Sequence, residues 1–242
     1  MFSDTHAHVY YLSDSEIRRI PEEGLDFVLS PGENLDTSLK CVQLAHTYDY
    51  IYAAVGVHPS YAASVTREEL ERTARLLNEE KVIAVGEVGL DAKYVRLPSD
   101  WERQKKVFSY FLDLAREHNV PLTIHSGRSF KDVIDMVLQA DVTPIFHWFS
   151  GPPSYALQAL DAGAYFSLGP AILYHDSYVA LVDVLPLDRI LLETDTPVRF
   201  KGEKARPWWV KRVAQRIAEI KKIDLHVVEE KTRKNVLDVF GV

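Results

Sequence analysis

The chain has 242 residues, a formal net charge of −7 and one cysteine. The excess of acids argues against a broad basic footprint for duplex DNA. No apolar run approaches the roughly 20 residues that span a bilayer, and the first residues lack the pattern of a signal peptide. Because Cys41 has no partner within the chain, we expect a reducing compartment and a cytoplasmic protein.

Short apolar runs alternate with longer stretches of helical period. Eight runs are predicted to be strands: 2–4, 26–30, 51–57, 82–85, 122–124, 144–146, 164–167 and 190–192. Strands that alternate with helices are typical of a parallel sheet. Since a single α/β barrel has about 250 residues, we predict one domain over residues 1–242 with a (β/α)8 TIM-barrel fold. An open doubly wound sheet is the alternative.

Two Ser/Thr-x-x-Glu sequences, which begin at Thr66 and Ser99, predict helix starts in which the hydroxyl caps the helix. The sequence Asn119-Val120-Pro121 predicts the end of the second of these helices. Two further helices are predicted near residues 208–221 and 225–240.

Polar residues follow most of the predicted strands, and in a barrel such residues meet at the C-terminal rim. Six of them are candidate metal ligands: His6, His8, Glu87, His125, His147 and Asp195. Imidazoles and carboxylates gathered at one rim form a cage for divalent cations, which can turn water into a nucleophile near neutral pH. The sequence therefore predicts a metal-dependent hydrolase.

The first motif contains His6 and His8, whose rings lie on the same side of an extended chain and can bind one metal. Asp4 is expected to orient a ligand ring. A surface pair of histidines is the alternative.

Further along, Glu87 follows a buried run and needs a partner, either two metals that share its oxygens or a rim Arg or Lys. The glycines beside it, at 86 and 89, permit close approach of backbone or ligand.

His125 and His147 end two neighbouring strands and are candidates for a second metal. Asp195 can bind the first metal and take a proton from the attacking water. Glu193 competes for this role, because strand alternation places it on the same side. We prefer Asp195, which lies nearer the rim.

Two residues are candidate substrate contacts. His58 is predicted to contact a substrate phosphate or to orient a ligand, and it could itself be a ligand. Arg128 could clamp a phosphate with two hydrogen bonds, or it is a surface arginine at a helix start. Trp148 and Phe149 are candidates for stacking on a nucleobase, with burial under the rim as the alternative.

Taken together, these motifs resemble the TatD family of metal-dependent deoxyribonucleases, among the amidohydrolase-like barrels. The resemblance runs from Asp4 to about Phe240. It rests on the segments Asp4-Thr5-His6-Ala7-His8, Gly56-Val57-His58-Pro59, Gly86-Glu87-Val88-Gly89-Leu90-Asp91, Ile124-His125-Ser126, His147-Trp148-Phe149-Ser150-Gly151 and Glu193-Thr194-Asp195-Thr196-Pro197, and on Thr232 and Asn235 near the end.

The resemblance implies two divalent metal ions (Zn²⁺, Mn²⁺ or Mg²⁺) and cleavage of DNA phosphodiesters, commonly from a 3′ end. One ion would be held by His6, His8, Glu87 and Asp195, and the other by Glu87, His125 and His147. Glu87 would bridge the ions, so Glu87 and Asp195 are the predicted catalytic carboxylates. Three departures from the family pattern change the pocket rather than the cage: Trp148 after His147, Gly127 before Arg128, and the basic segment 199–206.

The leading hypothesis is thus a phosphodiesterase acting on DNA ends or oligonucleotides. A lactonase, deacylase or phosphotriesterase-like enzyme on the same barrel is the alternative, and a non-catalytic binding protein is a third hypothesis. Glu87 stands where many of those other barrels bridge their metals with a carbamylated lysine, which favours the nuclease. DNA or an oligonucleotide is the expected partner and a membrane is not. The sequence sets no oligomeric state, and a monomer is compatible with it.

Overall fold

Eight parallel strands stand side by side in chain order in the computed structural model, which describes residues 1–242. They are Phe2–Asp4 (β1), Leu25–Pro31 (β2), Ile51–Val55 (β3), Val82–Asp91 (β4), Leu122–Gly127 (β5), Pro144–Phe146 (β6), Tyr165–Leu168 (β7) and Ile190–Leu192 (β8). The amide of Thr5 donates to the carbonyl of Leu192 over 2.8 Å and joins the last strand to the first. The predicted (β/α)8 barrel is confirmed.

Nine helices connect or follow these strands. They are Asp14–Glu22 (α1), Leu35–Thr47 (α2), Arg67–Arg75 (α3), Pro98–His118 (α4), Phe130–Val137 (α5), Pro153–Leu160 (α6), Ser177–Val184 (α7), Val210–Lys221 (α8) and Leu225–Phe240 (α9). An antiparallel hairpin of two short strands, Arg199–Phe200 (β9) and Glu203–Lys204 (β10), lies between β8 and α8. None of the helices has both the length and the apolar character that crossing a bilayer demands.

Of the two predicted helix caps, one is confirmed and one is wrong. The hydroxyl of Thr66 accepts the amide of Glu69, as expected. Ser99 does not cap α4, because that helix already begins at Pro98. The side chain of Asp100 instead accepts the two amides that precede the helix, each over 2.9 Å. A proline at the first helical position has no amide to satisfy, and the N-cap position falls on Leu97, two residues earlier than predicted.

Strands β4 and β5 extend beyond their predicted ends, whereas β3 stops two residues earlier than predicted. Gly86 and Gly89 have φ values of 148° and 143°. A Cβ atom at Gly89 would lie 2.0 Å from the carbonyl oxygen of His125. The two strands therefore stay paired only because glycine lets their backbones approach. As a result, Glu87 and His125 lie within their strands rather than after them.

The barrel is packed at one end by α9. A cluster of buried side chains joins its Val236 and Phe240 to inward residues of five strands, among them Phe27 and Leu191. The side-chain amide of Asn235 donates to the carbonyl of Ile190, at the start of β8, over 2.7 Å. Helix α9 thus covers the end of the barrel at which β8 begins. The polar residues lie at the opposite end, where the strands have their carboxyl ends.

Candidate metal centre

One oxygen of Glu87 faces the two histidines of the first motif. Its Oε2 lies 3.4 Å from His6 Nε2 and 3.7 Å from His8 Nε2. Asp195 closes this side, with Oδ1 3.2 Å from His8 Nε2 and 3.9 Å from His6 Nε2. Four predicted ligands, which come from β1, β4 and β8, therefore converge on one point.

The other oxygen of Glu87 faces a different set of imidazoles. Its Oε1 lies 3.0 Å from His125 Nδ1 and 3.6 Å from the Nε2 atoms of both His147 and His58. The structure thus gathers the other five predicted ligands around Glu87. It also places His58, predicted to contact substrate, in a position from which it could bind a metal.

The spacing of these donor atoms fits divalent cations. Two atoms that bind one ion at about 2.1 Å can lie no more than about 4.2 Å apart, and the separations above meet this limit. The Nε2 atom of His6 is buried and has no hydrogen-bond partner, an arrangement that is costly unless a ligand uses the nitrogen. Three groups of donors have all their ligand atoms within 4.8 Å of one another: His6, His8 and Glu87; His6, His147 and Asp195; and His58, Glu87 and His125.

Asp4 has a different role from the one predicted. It contacts no imidazole ring; its Oδ1 accepts the backbone amides of His6, over 3.2 Å, and Thr194, over 3.0 Å. It therefore ties the ends of β1 and β8 together just below the site. The ring of His6 is oriented instead by Thr123 on β5, whose hydroxyl lies 3.1 Å from Nδ1.

Glu193 and Asp195, the two candidates for the base, occupy different positions. Glu193 is fully buried; its Oε2 lies 3.0 Å from His147 Nδ1, and its Oε1 accepts the Trp148 amide over 2.9 Å. Glu193 thus contacts the nitrogen of His147 that points away from Glu87. Asp195 instead faces Nε2 of His8. Asp195 and Trp148 both have positive φ, at 50° and 39°, conformations that are uncommon outside glycine and concentrate at functional sites.

Sequence reasoning assigned no role to three other residues that touch the site. Asp91 Oδ2 lies 2.9 Å from His125 Nε2. The hydroxyl of Tyr10 lies 2.9 Å from His8 Nδ1 and donates to Glu33 over 2.8 Å. The sequence contains a feature that could have pointed to two of these residues, Asp91 and Glu33. Asp91 lies four residues after Glu87 and shares its strand parity, and Glu33 follows the end of β2 at the rim.

Burial and neighbouring charge divide the five imidazoles into two groups. Burial lowers the pKa of His6 to about 3 and that of His58 to about 4. Burial also opposes protonation of the other three rings, but nearby carboxylates outweigh it. They raise the pKa values of His8, His125 and His147 to about 9. Since a ring must be neutral to bind a cation, metal binding must displace protons from these three.

The central cavity, of about 380 Å³, opens over the cluster. His58 lines it, with Nδ1 held 2.7 Å from the hydroxyl of Ser60. Arg128 is exposed and lines neither this cavity nor the smaller one beside His147. A phosphate contact by Arg128 stays a prediction that the observed side-chain position does not support.

The two aromatic candidates differ in exposure. Phe149 is fully buried and packs 5.8 Å from Phe146, ring centre to ring centre, so it cannot stack on a base. Trp148 is half-buried and lines the smaller cavity with His147. Its ring stacks on Phe200 of β9, with 5.5 Å between centres, which covers one of its faces.

A (β/α)8 barrel whose carboxyl rim gathers imidazoles around a shared carboxylate is the architecture of the barrel metal-dependent hydrolases. The family model described as TatD related DNase matches residues 3–241. The chain therefore belongs to the TatD family of metal-dependent hydrolases.

Similar proteins span the whole chain. The chain is 33% identical to the uncharacterized metal-dependent hydrolase YabD of Bacillus subtilis, over 100% of both sequences. It is 28% identical to the 3′-5′ ssDNA/RNA exonuclease TatD of Cronobacter sakazakii, over 94% of this chain and 91% of that protein. The crystal structure of the TatD homologue YjjV from Escherichia coli superposes with a TM-score of 0.93, at 27% identity, over 100% of this chain and 98% of that one.

Proposed function

We propose that the chain hydrolyses phosphodiester bonds of DNA, releasing nucleotides from the end of a strand, with two divalent cations bound at Glu87. One observation carries the proposal: the two oxygens of Glu87 face separate sets of imidazoles. A carboxylate so placed can bridge two cations. Paired cations suit displacement at phosphorus, because together they stabilise the attacking and the leaving oxygen.

Each cation has its own imidazole donors in this proposal, and the two cations share Glu87. The first would be held by His6, His8, Glu87 and Asp195, and the second by Glu87, His125 and His147. His58 would either join the second set or contact the substrate phosphate. Mixed nitrogen and oxygen donors suit Zn²⁺ and Mn²⁺ better than Mg²⁺, which prefers oxygen alone.

Bound cations of this kind lower the pKa of water and polarise phosphoryl oxygens. Asp195 is the group that would receive the proton of the attacking water. Burial alone would raise the pKa of Asp195, but its hydrogen bond with His8 and the charge of His147 outweigh burial and hold the pKa below its usual value. Bound cations would supply positive charge in place of the protons on His8 and His147, so the carboxylate would stay ionised at neutral pH and could act as a base.

Related proteins support a nucleic-acid substrate. The matching family model is described as a DNase, and the Cronobacter relative is named as an exonuclease that acts on single strands in the 3′-5′ direction. We further propose that residues 1–242 act as one catalytic domain. A cytoplasmic location stays a prediction, which the lone buried thiol of Cys41 supports.

A substrate panel tests the proposal. The purified protein is stripped with a chelator and reloaded with Zn²⁺, Mn²⁺ or Mg²⁺. It is then offered single-stranded and duplex oligonucleotides labelled at either end, a lactone and an acyl amide. We expect the fastest turnover on oligonucleotides, with products that shorten from the 3′ end. A preference for the lactone or the amide would instead assign the chain to the other hydrolases of this barrel class.

Two variants serve as controls for the panel. His6→Ala and Glu87→Ala each remove donors from the cluster, so elemental analysis should find close to two ions in the parent protein and far fewer in the variants. Both variants should be inactive on every substrate. Equal metal content in the parent and in both variants would contradict the proposed centre.

A further inference from the structure

The segment from residue 199 to residue 216 has a charge opposite to that of the whole chain. It contains seven lysines and arginines and a single acid, whereas the chain carries a net charge of −7. Four of these bases are exposed and make no ion pair: Arg199, Lys201, Lys204 and Arg212. Unpaired cations concentrated on an otherwise acidic protein indicate an anionic partner.

This basic segment begins beside the metal centre. Val198, the residue before β9, donates its amide to the carbonyl of Asp195 over 3.0 Å and lines the central cavity. The hairpin is held by a bond from the Arg199 guanidinium to the carbonyl of Gly202, over 2.7 Å. The hairpin therefore holds Arg199, Lys201 and Lys204 at the edge of the site.

Aromatic rings continue from the cluster along the hairpin. Trp148 stacks on Phe200, and Phe200 stacks on Tyr174, with ring centres 5.5 and 5.7 Å apart. Lys201 lies 5.0 Å above the Tyr174 ring, and Arg212 donates to the Tyr174 hydroxyl over 3.1 Å. The row of rings thus leads from the residue next to His147 to a cluster of cations.

Beyond Tyr174 lies a groove of about 670 Å³ on the outer side of the barrel. Its walls include Tyr174, Lys211, Arg212 and Arg216, and also Glu219, which pairs with Arg216 over 3.2 Å. Hairpin, rings and groove form one path, which we call the basic track. Cations spaced along such a path can contact the phosphates of a nucleic acid, and aromatic rings can contact unpaired nucleobases. Because a duplex has no unpaired nucleobases, the combination fits a single strand better.

We propose that the basic track binds the uncleaved part of a single-stranded nucleic acid whose terminal phosphodiester lies at the metal centre. The inference rests on the proposed nuclease function and names the surface that holds the rest of the strand. The Lys and Arg side chains contact phosphates, and Trp148, which lines the smaller cavity, offers ring surface to a nucleobase. The track explains how an acidic protein can hold a polyanion.

The test compares substrates of different length. The triple variant Arg199→Gln/Lys201→Gln/Lys204→Gln and the metal-loaded parent are assayed on oligothymidylates of two and sixteen nucleotides. We expect KM for the longer strand to rise roughly tenfold in the variant, while KM for the dinucleotide changes less than twofold. The slope of log(kcat/KM) against log[salt] for the longer strand should fall by about two, because each phosphate contact to a single strand contributes roughly 0.7.

The matched control is Lys106→Gln/Lys222→Gln/Lys234→Gln, which removes the same charge at exposed positions outside the track. It should retain the length dependence and the salt slope of the parent. Metal content and circular dichroism confirm that both variants are folded and loaded.

Each failure has its own signature. A parent protein that cleaves no oligonucleotide would end the nuclease proposal, and the track with it. A parent that cleaves the longer strand, beside a triple variant with the same KM and salt slope, would overturn the track alone. A parent that prefers a sixteen-base-pair duplex would overturn the choice of a single strand.

Discussion

The imidazole of His147 and the carboxylate of Glu193 form a buried pair, with 3.0 Å between Nδ1 and Oε2, although β7 separates the strands that precede them. The second oxygen of Glu193 accepts the amide of Trp148. Both oxygens are therefore used, and the ring can present only Nε2 to Glu87. A residue that touches no reacting atom thus sets the direction of a candidate ligand.

Replacing Glu193 by glutamine should weaken metal binding by about 10- to 100-fold while the fold is kept. An amide has one acceptor oxygen, so it can accept from the His147 ring or from the Trp148 amide but not from both. Titration against a competing chelator measures the affinity, and circular dichroism checks the fold. Glu102→Gln, at an exposed position, is the control. Parental affinity in the Glu193 variant would show that the pair does not position the ring.

Asp195→Asn should retain most of the bound metal yet lose hydrolysis by about 10²- to 10⁴-fold. The amide oxygen can still face a cation, but it cannot accept a proton at neutral pH. Elemental analysis and the oligonucleotide assay, run on the same preparation, give the two readouts. Asp188→Asn changes an exposed carboxylate in the same way and should behave as the parent. Full activity in Asp195→Asn would exclude this residue as the base.

The metal-free protein should become less stable as pH rises from about 6.5 towards 9. In the folded state the pKa values of His8, His125 and His147 are raised to about 9, against about 6.5 in the unfolded chain. Within this window the folded state binds more protons than the unfolded state, so the free energy of unfolding falls with pH. Urea unfolding in the presence of a chelator measures it at three or four pH values.

Metal affinity should change in the opposite direction over the same window, because the three rings must lose their protons to bind a cation. Calorimetry in buffers of different ionisation enthalpy counts the protons released. A metal-free protein whose stability is flat or rises between pH 6.5 and 9 would show that the three rings are not protonated in the folded state.

Gly89→Ala should destabilise the protein by roughly 2–4 kcal/mol, because it combines an unfavourable φ with overlap against β5. Its Cβ atom would lie 2.0 Å from the carbonyl oxygen of His125. Gly163 also has a positive φ, 72°, but nothing lies within 4 Å of a Cβ atom there. Gly163→Ala therefore measures the cost of a left-handed φ without any overlap, about 1–2 kcal/mol. Equal midpoints of thermal unfolding for the two variants would show that the close approach of β4 and β5 adds nothing to the destabilisation of Gly89→Ala.

Much of the barrel can be predicted from local pattern. The strands 2–4, 144–146 and 190–192 have the bounds that their apolar runs predict, and the capping sequence at Thr66 starts α3. The six candidate ligands share one property, a position just after the predicted end of a strand. Since parallel strands in a barrel end at one rim, chain position alone was enough to bring them together.

Contacts between strands decided the rest. Whether Glu193 or Asp195 faces His8 depends on the turn of the backbone after β8, where Asp195 has positive φ. The roles of Asp4, Thr123 and Asp91 depend on the stagger of β1, β4 and β5. One irregular step between Val85 and Val88 shifts that stagger.

The sequence by itself determined which residues reach the rim, because strand order and alternation are properties of the chain. Only the tertiary structure decided which atom of each residue faces which neighbour. A single-residue shift between paired strands, or one left-handed residue at a strand end, turns a side chain from a ligand position to a supporting one. Neither change alters the hydrophobic pattern from which the strands are predicted.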